Sequence, residues 1–181
     1  MRLFAAVDIP EEVKMALDSF LKPLRPAAKL SWSHPENLHI TTQFIGEWPE
    51  GRLDEVKGAL AAIRFRGPLE ITVKGIGWFP EARRPSVFWA GVDGGDALRT
   101  LARLTGQALS AIGVHLEERP YSPHLTLARI RERVPLDMLH RAIEAFPSGC
   151  GFDFGAFRAA NFCLYLSAGG HYTRLAAFPL E

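Results

Sequence analysis

The chain has 181 residues, of which 48% are hydrophobic and 23% are charged, and its formal net charge is +1. This composition allows a buried core and excludes an intrinsically disordered chain. The small net charge argues against a general binder of duplex DNA, which needs a strong basic field. The length suits one domain, residues 1–181, built from two closely packed halves.

The cysteines and the apolar segments indicate the expected cellular location of the protein. Cys150 and Cys163 lie in no Cys-x-x-Cys or zinc-ligand pattern, so we expect two buried or half-buried thiols. Asp8 interrupts the first apolar stretch, which is too short for a signal peptide, and no run of about 18 apolar residues could span a membrane. We therefore expect a cytoplasmic protein without membrane contact. No apolar pattern demands a partner chain, so we expect a monomer.

The first half of the sequence predicts a strand, a helix, a short strand, a longer strand, a helix and a strand. Glu11 and Glu12 mark the start of the first helix, because acidic residues in a first turn complement the helix dipole. Apolar periodicity and turn residues place the six elements at 2–8, 11–21, 30–33, 38–45, 53–63 and 69–77.

The same order of elements returns after a loop at residues 78–85. Pro135 suits the first position of the later helix. The predicted elements are 86–92, 96–112, 114–118, 123–130 and 135–145, followed by closing strands at 152–154, 157–167 and 172–180. The pattern predicts an α+β, bilobal fold in which each half has an antiparallel sheet and outer helices. In sequence order the halves are approximately 1–82 and 83–181.

A four-residue pattern, His-x-Thr-x, occurs once in each half, inside a predicted strand. The copies begin at His39 and His124, with Thr41 and Thr126 two residues later. Since side chains alternate along a strand, each histidine shares a face with its threonine. If the two halves pack together, the two imidazoles can meet across a cleft.

Two facing histidines are sufficient for phosphodiester chemistry without a metal. Histidine titrates near pH ~6.5, so one neutral imidazole can act as base while one imidazolium acts as acid. Thr41 and Thr126 can donate hydrogen bonds to the charged phosphate oxygens. The chain has no His-Glu-x-x-His and no aspartate-rich motif, so we expect neither a metal nor a cofactor.

Two aromatic residues near the motifs have an open assignment. Tyr121 lies three residues before His124 and could contact the substrate, or could simply be a turn tyrosine. Phe44 shares strand parity with Ile40 and Thr42, so we expect it in the core rather than as a stacking platform for bases.

The loop at residues 78–84 combines aromatic and basic side chains. Trp78, Phe79, Arg83 and Arg84 could stack on and neutralise single-stranded RNA. A hinge packed by its own aromatics is the favoured interpretation. The remaining histidines have no motif partner and are expected to be structural or at the surface: His34, His115, His140 and His171.

The chain resembles the two-histidine phosphoesterases and, within them, the RNA 2′,3′-cyclic phosphodiesterase family, also called 2′-5′ RNA ligases. The resemblance covers essentially the whole chain. The first motif of the family often reads His-x-Thr-Leu, so Thr42 departs from it, at a position expected to point away from the cleft. The segments with the resemblance are 2–10, 35–47, 77–92, 122–129 and 172–180, which include both motifs.

The resemblance implies a fold, a reaction and a role for each residue. The halves would be related by a pseudo-twofold axis, with both motifs lining a central cleft. His39 would be the general acid and His124 the general base, and the product would be an RNA 2′-phosphate. Thr41 and Thr126 would hold the phosphate. Some relatives also join RNA ends through a 2′-5′ bond, with a ribose hydroxyl replacing water.

Arg129 matches an arginine that follows the second motif in the family. Simple parity places it on the face opposite His124, five residues earlier. A bulge, or a position at the strand end, could bring the guanidinium back to the phosphate. An ordinary surface arginine remains the alternative.

The sequence supports one leading function and leaves two alternatives open. The leading function is metal-independent hydrolysis of RNA ending in a 2′,3′-cyclic phosphate. One alternative keeps the site but takes small cyclic nucleotides or 2′-5′ oligonucleotides as substrate. The other is a module that binds RNA ends and turns nothing over.

Overall fold

Nine strands and four α-helices follow one another along residues 1–180, the part of the chain that the computed structural model describes. The helices are α1 (Glu11–Leu21), α2 (Leu53–Ala61), α3 (Gly95–Ser110) and α4 (Asp137–Glu144). The strands are β1 (Arg2–Asp8), β2 (Ser31–Trp32), β3 (His39–Glu47), β4 (Leu69–Phe79), β5 (Val87–Asp93), β6 (His124–Arg129), β7 (Asp153–Ala159), β8 (Asn161–Ala168) and β9 (His171–Pro179).

The strands form two antiparallel sheets, so the α+β prediction is confirmed. The first sheet has the order β3-β1-β8-β9 and the second has the order β2-β6-β5-β4-β7. The first motif begins β3, at the edge of one sheet, and the second begins β6, inside the other. Each sheet therefore contributes one histidine.

The two sheets do not follow the two halves of the sequence. The first sheet joins β1 and β3 to the C-terminal strands β8 and β9, while β2 and β4 belong to the second sheet. The expected boundary near residues 80–85 lies in the β4–β5 connection, between two neighbouring strands of one sheet. Each sheet thus contains strands from both halves of the sequence.

Three sequence predictions differ from the observed elements. Residues 114–118 form no strand, and the chain there has no regular structure before it reaches β6. Gly155 lies within β7 at a φ of 114°, so the break expected near it does not occur. Glycine tolerates this backbone conformation, so the strand continues through a residue type that is typical of turns. β4 also continues through Phe79, two residues beyond the predicted end.

One hydrophobic core links the sheets and helices. Helix α1 buries Val13, Leu17, Phe20 and Leu21, a spacing that lines one helical face. This face packs on β7, and α3 packs on both β3 and β4. The buried residues form a single cluster that includes both sheets. Within the described residues, no helix is both long and apolar enough to cross a membrane.

Candidate active site

His39 is the first residue of β3, and two hydrogen bonds orient its ring. Nδ1 lies 2.7 Å from the Asn37 carbonyl oxygen, and Nε2 lies 3.0 Å from the Thr41 hydroxyl. Because a carbonyl oxygen only accepts, Nδ1 must be the protonated nitrogen of the neutral ring. Nε2 is then the acceptor from Thr41, two residues along the same face of the strand.

His124 repeats this arrangement at the start of β6. Its Nδ1 lies 2.8 Å from the Ser122 carbonyl oxygen, again the residue two positions earlier. The carbonyl fixes the proton on Nδ1 and leaves Nε2 with its lone pair. Both motifs therefore present an imidazole in the same tautomer, held by the backbone that enters the strand.

A bulge follows the threonine in both motif strands. In β3, Ala5 and Ala6 of β1 face Gln43 and Thr41, so Thr42 is the extra residue. In β6, Phe88 and Trp89 of β5 face Ala128 and Thr126, so Leu127 is the extra residue. Both extra residues are buried. As expected for the first motif, the fourth position points away from the histidine.

The bulge at Leu127 also changes the direction of Arg129. An extra residue reverses the alternation of side chains beyond it. The charge of Arg129 lowers the pKa of both His39 and His124, so its guanidinium lies within electrostatic reach of the two rings. Arg129 thus faces the histidines, although simple parity places it on the opposite side.

Tyr121 joins the two motif strands. Its hydroxyl donates a hydrogen bond of 3.0 Å to the Thr41 carbonyl oxygen, across 80 positions of sequence. Burial raises the pKa of Tyr121, which keeps the hydroxyl protonated and able to donate. The segment that leads into the second motif is therefore anchored to the strand of the first motif.

Asp8 is a site residue that lies outside both motifs. It ends β1 directly opposite His39. Its carboxylate accepts hydrogen bonds from the Tyr165 hydroxyl and, at 3.3 Å, from Arg174. The Cys163 thiol lies 3.6 Å away. The sequence signal was an acidic residue ending a buried strand, on the same face as Phe4 and Ala6.

Aromatic side chains surround both imidazoles. The Phe4 ring lies 4.6 Å from the His39 ring, and Tyr172 meets it edge-on at 5.2 Å. Phe79 meets the His124 ring edge-on at 5.0 Å. The Phe79 ring in turn lies 5.2 Å from the Trp89 ring. These contacts restrict the rings and reduce their access to water.

Burial is the main influence on the protonation of the two histidines. It lowers the pKa of His39 to about 4, against opposing contributions from the Asn37 carbonyl and the charge of Asp8. It also lowers the pKa of His124, with Arg129 acting in the same direction and the Ser122 carbonyl opposing. Both imidazoles are consequently neutral at pH 7 in the empty cleft.

A cavity of about 280 Å³ opens beside His39. Asp8, Asn37, Tyr172 and Arg174 are among the residues that line it, so it has both charged and aromatic walls. Within residues 1–180, no group of three or more His, Cys, Asp or Glu side chains is arranged to hold a metal ion.

Two expectations about individual residues were wrong. Phe44 is 43% exposed instead of buried, because the bulge at Thr42 reverses the side-chain alternation beyond it. Cys150 is exposed, while Cys163 is buried as expected. The exposed thiol lies in the Gly-rich turn before β7.

The fold and the paired motif histidines define the class of two-histidine phosphoesterases. A family model described as LigT like Phosphoesterase matches residues 7–89 and 92–168. The chain belongs to this family and is therefore an enzyme of the phosphoesterase class.

Curated relatives match the chain over most of its length. It is 34% identical to an RNA 2′,3′-cyclic phosphodiesterase of Methanocaldococcus jannaschii, covering 92% of this chain and 91% of that protein. It is 31% identical to the protein of the same name from Methanothermobacter thermautotrophicus, covering 99% of each. A Geobacillus stearothermophilus relative is 30% identical over 98% of this chain, which spans only 56% of that longer protein.

Solved structures share the fold. A Thermus thermophilus protein superimposes with a TM-score of 0.78 at 30% identity, covering 99% of this chain and 98% of that one. The structure of E. coli LigT complexed with 3′-AMP gives a TM-score of 0.75 at 24% identity, covering 99% and 97%. At that identity the second likeness concerns the fold alone.

Proposed function

We propose that this enzyme hydrolyses RNA ends bearing a 2′,3′-cyclic phosphate to 2′-phosphomonoesters, with His39 as acid and His124 as base. The observation that carries the proposal is the matched pair of imidazoles, each fixed through Nδ1 to a backbone carbonyl. Each Nε2 is thereby kept for proton transfer. The curated relatives named above support RNA as the substrate.

The reaction needs one bond to form and one to break at phosphorus. A water oxygen attacks the phosphorus while His124 Nε2 takes the proton of that water. The bond from phosphorus to the 3′ oxygen breaks, and His39 Nε2 gives its proton to that oxygen. The hydroxyls of Thr41 and Thr126, together with the Arg129 guanidinium, would hold the nonbridging oxygens as their charge develops.

The acid must gain its proton when the substrate enters. The pKa of His39 is about 4 in the empty cleft, so the ring is neutral at pH 7. A cyclic phosphate brings a negative charge beside both rings, and an adjacent anion favours the imidazolium. Substrate binding is therefore coupled to the uptake of one proton.

Burial lowers the pKa of His39 to about 4, so the acid role needs charges that favour its imidazolium, and one such charge belongs to Asp8. Its charge raises the pKa of His39. The pKa of His124 is lowered by burial and Arg129, and the only opposing contribution is the Ser122 carbonyl. The assignment agrees with the roles that the family resemblance implies.

The test uses a short RNA ending in a 2′,3′-cyclic phosphate, incubated with the protein in excess EDTA, with the products separated as 2′- and 3′-phosphates. We expect only the 2′-phosphate. A 3′-phosphate would retain the enzyme but exchange the leaving oxygen, and no product would refute the proposal. Adding an RNA with a free 5′-hydroxyl to the same assay detects 2′-5′ joining, in which that hydroxyl replaces water.

Substitution of either histidine tests the acid–base pair. His39→Ala and His124→Ala should each abolish turnover, since each removes a group that transfers a proton. Both variants should retain the fold and the binding of RNA ends. His171→Ala, at an exposed histidine of β9, is the matched control and should keep wild-type rates. Near-normal turnover by either motif variant would contradict the assignment.

A further inference from the structure

Beyond the catalytic cleft, the molecule has a second concave surface, beside the sheet that contains β4, β5 and β6. A cavity of about 730 Å³ lies between the β4–β5 connection and the segment that follows β6. Four arginines line it, and all four are exposed: Arg83, Arg84, Arg131 and Arg133. We call this surface the arginine groove.

Backbone hydrogen bonds hold the two walls of the arginine groove side by side. The Ser86 amide donates to the Phe79 carbonyl oxygen at 2.6 Å, which closes the connection that contains Arg83 and Arg84. The Ile130 amide donates to the Ser86 carbonyl oxygen at 2.9 Å. This bond attaches the Arg131 segment to the same connection. The arginines therefore project from neighbouring, backbone-linked segments.

The charge of the arginine groove is not neutralised internally. Within residues 1–180, none of its four arginines has a carboxylate oxygen within 4.0 Å, whereas Arg25 and Arg52 are paired with Asp18 and Glu55. The acidic residues that line the same cavity are Glu132 and Asp137. Four guanidinium groups against two carboxylates leave a local positive excess on a chain whose net charge is only +1.

Both walls of the arginine groove begin next to residues that contact or act on the motif histidines. Phe79 lies edge-on against the His124 ring, and the connection with Arg83 and Arg84 begins at the next residue. Arg129, whose charge acts on both histidines, lies two residues before Arg131. A strand that leaves the cleft past Phe79 and Arg129 would therefore reach the arginines.

We propose that the arginine groove binds the backbone phosphates of the single RNA strand that precedes the cyclic end. The proposal rests on the function proposed above, because a 2′,3′-cyclic phosphate is the 3′ terminus of its strand. The rest of that strand must leave the cleft, and its phosphates match unpaired guanidinium groups. The groove makes the enzyme prefer oligonucleotides to single nucleotides.

The test compares two substrates on wild type and on the variant R83A/R84A/R131A/R133A. The substrates are a hexanucleotide with a 2′,3′-cyclic end and cytidine 2′,3′-cyclic monophosphate. The variant should lose about tenfold or more in kcat/KM on the hexanucleotide, through KM, and should keep wild-type values on the mononucleotide. For the hexanucleotide, the slope of log kcat/KM against log salt concentration should become shallower in the variant. The change should be about 0.7 for each backbone phosphate that the variant no longer neutralises.

The matched control is R64A/R66A/R99A/R103A, which removes the same charge from four exposed arginines outside the groove. It should keep the hexanucleotide kinetics and the salt dependence of wild type. An equal loss of kcat/KM in both variants would mean that net charge alone causes the effect. An equal loss on both substrates would mean that the groove arginines act in the reaction or in the fold. Either result would overturn the proposal, as would wild-type behaviour of the groove variant.

A binding measurement separates this proposal from the proposed function. Fluorescence anisotropy follows a labelled hexanucleotide with a 2′-phosphate end, which needs no turnover. Weaker binding by the groove variant than by the control supports the groove even if wild type hydrolyses neither substrate, a result that would refute only the proposed function. Equal binding by the two variants overturns the groove proposal.

Discussion

At the scale of single residues, the carbonyl oxygens of Asn37 and Ser122 determine what each histidine can do. Each accepts from an imidazole Nδ1 and so keeps Nε2 available for proton transfer. The environments then differ, because only His39 has a carboxylate, that of Asp8, raising its pKa. Two histidines of one tautomer are thereby given unequal abilities to hold a proton.

The pH dependence of the rate should reveal this difference. The profile of kcat/KM reports the free enzyme, in which the pKa of His39 is about 4 and that of His124 is lowered. We expect kcat/KM to fall already below pH 6.5, the ordinary value for histidine, because the His39 imidazolium becomes rare as the pH rises above its pKa of about 4. The value of kcat should stay high up to a higher pH than kcat/KM does, since bound phosphate raises the pKa of His39. Coincident profiles would contradict coupled proton uptake.

Asp8→Asn should impair the acid specifically. Without the carboxylate the pKa of His39 falls further, and the alkaline limb of the kcat profile moves to lower pH. A change of one pKa unit corresponds to about tenfold in the population of imidazolium, so we expect about that loss in kcat at pH 7. Asp18→Asn, which removes a carboxylate paired with Arg25 elsewhere, is the control and should leave the profile unchanged.

An NMR titration of the His39 ring decides how Asp8 acts. In Asp8→Asn the ring should titrate at lower pH than in wild type. An unchanged titration with reduced kcat would mean that Asp8 supports the site only through its contacts with Tyr165 and Arg174.

Sequence periodicity predicted the two histidines but not Asp8. His39 and Thr41 are two positions apart on one strand, so their common face follows from local geometry. The partners of Asp8 lie more than 150 positions away along the chain. They meet it because β1 lies between β3 and β8. Strand order is a property of the whole chain, so no local pattern could reveal this contact.

At the scale of elements, the bulges in β3 and β6 set the directions of the site side chains. Each places the fourth motif residue in the core and reverses the alternation beyond it. Parity therefore failed for Phe44, which is exposed, and for Arg129, which faces the histidines. The family resemblance was better than parity for Arg129, because the sequence of a short strand contains no clear signal for a bulge.

Thr42→Val should stabilise the protein without changing its activity. Thr42 is 2% exposed, and its hydroxyl has no hydrogen-bond partner within the described residues. An unsatisfied buried hydroxyl costs about 1 kcal/mol or more, which valine avoids at nearly the same volume. We expect a higher urea midpoint and unchanged kcat. Thr42 faces the core, away from His39.

Thr105→Val is the matched control for this prediction. Thr105 is also fully buried, but its hydroxyl donates to the Leu101 carbonyl oxygen at 2.8 Å. Valine there removes a satisfied hydrogen bond, so the free energy of unfolding should not increase. A gain in Thr105→Val equal to that in Thr42→Val would mean that apolar substitution alone is stabilising. A loss in Thr42→Val would show that its hydroxyl does find a partner.

At the scale of the whole molecule, placing a histidine between two sheets makes folding sensitive to acid. The folded-state pKa of His39 is about 4, below the value of about 6.5 expected when unfolded. Below pH 6.5 the unfolded chain binds a proton that the folded chain excludes. The stability that a neutral His39 allows is complete above pH 6.5 and is lost as the pH falls towards 4.

His39→Gln should therefore reduce the acid sensitivity of the fold. Between pH 7 and pH 5, His39 alone accounts for a loss of about 2 kcal/mol in the free energy of unfolding, which a side chain that does not titrate avoids. Urea unfolding at both pH values measures the difference, and the comparison of the two removes any direct effect of the substitution. His171→Gln, at an exposed histidine, should lose as much as wild type. If His39→Gln lost equally, the ring would already be charged in the fold at pH 5, which would contradict a folded-state pKa of about 4.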